Sequence, residues 1–114
     1  MSHNTNDSRR GLRVPVRVTV ILRETTFDGS LYFVSTNVSS MGIFLESDML
    51  LQEGVIVHLR FLLPEELDPI RAVAKVVRVE DRRVPGVVPG LGLEFLELDA
   101  AGRDQIRRYV DRNA

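Results

Sequence analysis

The sequence predicts an all-β fold: a small antiparallel barrel of about six short strands, led by a flexible N-terminal arm and followed by one C-terminal α-helix. Three observations carry this expectation. Apolar residues alternate with polar ones at a period of two along most of the chain. Glycine, proline, asparagine and serine recur between these runs. The period lengthens to that of a helix only after Asp99.

Residues 1–8 are polar and hold Ser, Asn, Thr and Asp, so they form the arm, and residues 9–114 form one domain. The first strand starts at Val14. Val14, Val16, Val18, Val20 and Leu22 alternate with Pro15, Arg17, Thr19, Ile21 and Arg23. Pro15 sits near the start, where a missing donor is tolerated. Thr26 to Ser30 is turn chemistry, and Leu31 to Thr36 is a second strand. Asn37 to Gly42 is a polar break before the short strand Ile43–Leu45. Gly54 turns the chain into a strand from Val55 to Phe61. Pro64 and Pro69 bound a loop, and Ile70 to Val79 is a long strand. Residues 81–89 are an exposed loop, and Leu91, Leu93 and Phe95 mark the last strand. Asp99 is a plausible N-cap for a helix that carries Ile106, Tyr109 and Val110 on one stripe. Gly102 weakens that helix by about 1 kcal/mol against alanine.

Composition removes several function classes. The chain has 114 residues and no cysteine, so disulfides, thiolate catalysis and cysteine zinc sites are excluded. No apolar run approaches the ~20 residues of a membrane helix, and the polar start is unlike a signal peptide, so a cytoplasmic location without membrane insertion is expected. The net charge of -1 argues against DNA or RNA as a partner. No Ser/His/Asp set and no metal-ligand spacing is visible, His58 reads as a surface residue, and Glu65, Glu66 and Asp68 read as a solvated loop. No enzyme, no cofactor and no metal is therefore expected.

The charge is unevenly spread. Ser8 to Arg23 carries five arginines and no acid, whereas residues 24–114 carry ten basic and fifteen acidic side chains. A compact basic segment on an acidic domain suits a small anion. Two clusters could supply the contacts. Arg9-Arg10-Gly11-Leu12-Arg13 precedes the first strand, and in a straight strand Arg9 and Arg13 would share a face ~13 Å apart. A bend at Gly11 would aim both forks at one phosphate-bearing ligand. In Asn37-x-Ser39-x-x-Gly42, Asn and Ser usually bond nearby backbone. The alternative is that the Asn37 amide and Ser39 hydroxyl face outward to read a base edge, with Gly42 allowing close approach.

The two clusters together resemble the PilZ domain family, whose signature is Arg-x-x-x-Arg followed by Asp/Asn-x-Ser-x-x-Gly. Arg13-Val14-Pro15-Val16, residues 37–45 and Gly90-Leu91-Gly92-Leu93-Glu94-Phe95 resemble that family's flanking segments, and the likeness spans about residues 8–112. The resemblance implies a six-stranded antiparallel PilZ-type barrel with a C-terminal helix that binds cyclic di-GMP. By the same resemblance Arg9 and Arg13 would grip phosphates and guanine, with Arg10 as an auxiliary. Asn37 and Ser39 would bond guanine, and Gly42 would shape the turn. Arg78 stands where many relatives carry an aromatic residue; it either stacks on a base or is a solvated strand-face arginine. Ser8 departs from the arginine or leucine common before the motif, which leaves one or two bound nucleotides open. The expected partners are cyclic di-GMP and an unidentified downstream protein, with the chain a monomer or weak homodimer. Ordering of the arm on binding would carry the signal. The rival readings are a PilZ-like protein adaptor that does not bind nucleotide and an oligonucleotide-binding barrel. The second is disfavoured by an aromatic content of 6% and by Phe44, Phe61 and Phe95, which are read as facing inward.

Overall fold

The computed structural model describes residues 11–24, 29–49, 51–81 and 83–114. Among the described residues, seven strands precede the C-terminal helix. They are β1 (Val14–Pro15), β2 (Thr19–Glu24), β3 (Leu31–Val38), β4 (Gly42–Glu46), β5 (Ile56–Phe61), β6 (Ile70–Glu80) and β7 (Gly90–Leu98), followed by α1 (Ala100–Asn113). The sheet order is β1-β3-β2-β5-β6-β7-β4, and a further pairing of β3 with β4 closes β2 to β7 into a six-stranded antiparallel barrel.

The first predicted strand is interrupted. Val14 faces Val38 and Pro15 faces Asn37, whereas Thr19 faces Val34, so four steps along one strand meet three along the other. β1 and β2 thus lie along the same side of β3 with a one-residue slip between them. The slip is bridged by hydrogen bonds from the Val16 amide to the Thr36 carbonyl and from the Ser35 amide to the Val18 carbonyl. The alternation survives it: Val14, Val16, Val20 and Leu22 are all buried.

The barrel interior holds the inward residues of every strand, among them Leu22, Phe33, Ile43, Leu45, Leu59, Val76, Leu91 and Leu93. Each contributes about 1.5–3 kcal/mol by leaving water. Phe61 and Phe95 stack with ring centroids 6.3 Å apart. Helix α1 covers the barrel with Ile106, Tyr109 and Val110. Asp99 caps it by accepting from the Gly102 amide at 2.6 Å, as expected for an acid at the N-cap.

One bond ties the helix to the start of the barrel. The Tyr109 hydroxyl donates to the Pro15 carbonyl at 2.9 Å. A two-residue strand has little pairing of its own, so this bond holds β1 in place. Tyr109→Phe is expected to cost about 1 kcal/mol in urea unfolding; an unchanged midpoint would mean that the bond contributes nothing. A smaller gain is available in the proline-bounded loop. Glu65 has φ 68°, and the Glu66 amide closes the turn on the Leu63 carbonyl at 3.2 Å. Pro64 followed by a left-handed residue is a type II turn, which favours glycine at that position. Glu65→Gly should raise stability by up to about 1 kcal/mol, seen as a higher melting temperature.

Candidate functional site

Two irregularities in the ladder decide which side chains reach one outer face. On β3, Phe33 and Ser35 point inward, so strict alternation would also turn residue 37 inward. Ser35 pairs with Leu45 but Asn37 pairs with Phe44, so Thr36 is an extra residue and Asn37 is turned outward. On β6, Ala72, Ala74 and Val76 are buried, so residue 78 would follow them into the core. Val76 pairs with Leu93 and Arg78 with Gly92, so Val77 is the extra residue and Arg78 faces out. Bulges re-aim side chains in this way.

The result is a lateral row across five strands. Pro15 faces Asn37, Asn37 faces Phe44, Phe44 faces Gly92 and Gly92 faces Arg78. Phe44 is therefore on the outer face. This corrects the inward reading: Ile43, Phe44 and Leu45 are all apolar, and such a run gives no sign of which faces belong to the core. Phe44 is nonetheless only 6% exposed. It is covered by the Arg78 guanidinium, whose carbon lies 5.7 Å from the ring centroid. Gly92 makes that lie possible, because a Cβ there would stand 3.2 Å from the Arg78 Cβ and 3.4 Å from its Nε. Gly90 is constrained twice, since its Cβ would collide with the Leu45 carbonyl of β4 and approach the Phe44 ring at 2.7 Å.

At the other end of the row the two motifs meet. The Arg13 Nη1 donates to the Asn37 Oδ1 at 2.9 Å, across twenty-four residues of sequence. Among the described residues Arg13 forms no ion pair. Partial desolvation, and secondarily the charge of Arg78, lower its pKa from the ordinary arginine value. Arg78 is less free, because its Nε pairs with Glu80 Oε1 at 3.0 Å. The face thus carries one unneutralised guanidinium, a second one lying flat on an aromatic ring, and an amide between them. Such an arrangement suits an anion that also offers a planar group.

Ser39 does something other than face outward. It is 1% exposed. Its hydroxyl oxygen accepts from the Met41 amide at 3.1 Å and the Gly42 amide at 3.2 Å. The Ser39 amide in turn donates to the Gly42 carbonyl at 2.9 Å. Of the two alternatives for the Ser39 hydroxyl the backbone one is found, not the outward one that the resemblance implied: Ser39 holds the β3–β4 turn and so fixes the corner beside Asn37. Gly42 belongs to β4 rather than to the turn, and a Cβ on it would collide with the Leu93 carbonyl of β7. Arg9, Arg10 and the arm at residues 1–8 lie outside the described residues. The sequence reading did not single out Phe44, Gly90, Gly92 or Glu80 for this face. Among the described residues no group of three or more His, Asp or Glu side chains could hold a metal, and no helix is long and apolar enough to cross a membrane.

A closed antiparallel barrel with a cationic, aromatic-floored row on one outer face is the class that fold and site define. The PilZ domain model matches residues 5–112, and the chain belongs to that family. No curated protein matches the sequence. Among solved structures, the barrel is similar to the Bacillus subtilis inhibitor of motility MotI/DgrA, at 24% identity and TM-score 0.74, covering 89% of this chain and 48% of that one. This chain therefore spans about half of MotI. It is also similar to the PilZ domain of Escherichia coli YcgR with c-di-GMP, at 18% identity and TM-score 0.70, covering 92% and 90% of the two chains. The PilZ domain of CeSA from a cellulose-synthesizing bacterium has 15% identity and TM-score 0.62, covering 90% and 97%.

Proposed function

We propose that this chain is a cytoplasmic cyclic di-GMP receptor and adaptor, and not an enzyme. The observation that carries the reading is the bond between Arg13 and Asn37, which joins the arginine segment to the polar corner on one face. The fold shared with the ligand-bound YcgR domain supports it. In this reading Arg13 and Arg9 hold phosphate and the guanine N7 and O6 acceptors, with Arg10 beside them. Asn37 bonds a guanine edge once its bond to Arg13 is exchanged for the ligand. Arg78 presents its flat face to a base above Phe44. Ser39 and Gly42 act through the backbone, by fixing the corner from which Asn37 projects.

The arm orders as the nucleotide binds, and a downstream protein reads the change of surface. The chain is a monomer or a weak homodimer. Calorimetric titration of the full chain with cyclic di-GMP tests the first step; absence of binding would leave a PilZ-type adaptor that does not use the nucleotide. Amide exchange of residues 5–13 tests the second, with greater protection expected in the presence of nucleotide. Equal protection with and without it would remove the ordering step.

A further inference from the structure

A second cationic surface lies on a different part of the barrel, where β2, β5 and the first half of β6 turn their outward side chains to a groove of about 850 Å³. Its chemistry is set by register. Arg23 of β2 faces His58 of β5, and Arg60 of β5 faces Arg71 of β6. Like charges directly opposite each other across an antiparallel pair destabilise the sheet. Among the described residues neither Arg23, Arg60 nor Arg71 forms an ion pair. The groove thus carries three arginines outside any ion pair, two of them directly opposed, on its β2–β5–β6 side, and two carboxylates, Glu97 and Asp99, at its other side. Ile21 sits among them as the partner of both Arg60 and Tyr32, and Tyr32 is 68% exposed. Exposed tyrosine and arginine around an apolar centre are the residue types that dominate protein interfaces.

We infer that this groove receives an acidic, extended segment of a partner protein. Charge complementarity sets the sign. Extent sets the size: from Tyr32 on β3 to Arg71 on β6 the surface crosses three strand spacings, about 14 Å, which four or so extended residues would span. A small anion would satisfy the Arg60–Arg71 pair and leave Arg23 without a partner. Glu97, opposite Val73, and Asp99 close to it on the far wall repel a continuous polyanion and confine an acidic segment to the arginine side. Tyr32 is one aromatic where a nucleic-acid strand needs a series to stack on. The groove is separate from the Arg13–Arg78 row. The two share β6, with Arg71 near one end and Arg78 near the other, seven residues and roughly 23 Å apart along the strand. The inference does not require that the chain bind cyclic di-GMP, and the two fail separately.

The test uses the full chain and a fluorescein-labelled peptide of roughly ten residues alternating glutamate and leucine, followed by fluorescence anisotropy at low ionic strength. Wild type should bind it, and added salt should weaken the binding. Arg71→Glu should weaken it about tenfold. The same substitution turns the Arg60 repulsion into a cross-strand attraction, so it should also raise the melting temperature by about 1–5 °C. Lost binding on a more stable domain cannot come from misfolding. Tyr32→Ala should weaken binding roughly fivefold, and Arg112→Glu, the same charge change at the end of α1, by less than about twofold. Four outcomes would overturn the inference: no binding by wild type, undiminished binding by Arg71→Glu, an equal loss in Arg112→Glu, or tighter binding of a single-stranded oligonucleotide than of the peptide.

Discussion

Arg13→Ala is expected to weaken cyclic di-GMP binding about ten- to a hundredfold in calorimetry, while leaving the melting temperature within a few degrees of wild type. A hydrogen bond to a charged partner is worth about 1.5–3 kcal/mol, which is this range in affinity. The folded state loses little, because Arg13 is exposed and its bond to Asn37 is replaceable by water. Its removal even relieves the repulsion from Arg78 that lowers its pKa. Arg13→Lys should keep the charge but lose the fork, and so fall between alanine and wild type. An alanine variant that binds as wild type does would take Arg13 out of the site. A variant that binds poorly because it unfolds would show it in the melt, so the two explanations separate.

Gly42→Ala should be among the most damaging small substitutions in the barrel, alongside Gly90→Ala, whose Cβ would meet the Leu45 carbonyl. The Cβ added at Gly42 meets the Leu93 carbonyl of the neighbouring strand, which is backbone and cannot rotate away. To make room, β4 and β7 must separate along the pairing of Gly42 with Glu94. Overpacking of this kind costs about 3 kcal/mol, or roughly 10 °C in melting temperature for a domain of this size. Gly92→Ala is the natural contrast, because its Cβ meets only the side chain of Arg78, which can shift. It should cost less than about 1 kcal/mol while moving the guanidinium off the Phe44 ring. Equal melting of Gly42→Ala and wild type would mean that the strands are not held as close as the structure has them.

The pattern of apolar residues was enough to read the barrel, because a period of two holds along most of each strand and survives the slip between β1 and β2. The strand from Ile70 and the cap at Asp99 were legible in this way, and so was a break before Ile43, although it was read as starting at Asn37 whereas β3 runs on to Val38. The slip between Pro15 and Thr19 was not, because all the valines still face inward and only the pairing reveals it. The site was legible in part. Arg13 and Asn37 could be named from type and spacing, and the structure brings them together. Ser39 could not be oriented, since a hydroxyl at a turn reads alike whether it binds backbone or solvent. Phe44 was misplaced because an unbroken apolar triplet carries no parity. The facing of Asn37 and Arg78 depends on extra residues at Thr36 and Val77, and nothing in the composition of either stretch announces a bulge.

The pairing of β3 with β4 has one further consequence. It leaves none of the six barrel strands, among the described residues, with an unoccupied row of amides and carbonyls along its length. Another chain cannot extend the ring of β2 to β7 by lending a strand to it, and among the described residues only the two-residue β1 keeps an open edge. Recognition by the barrel wall passes through the side chains displayed on it. Partner preference can therefore drift by substitution of those side chains while the hydrogen-bonded cylinder beneath stays intact.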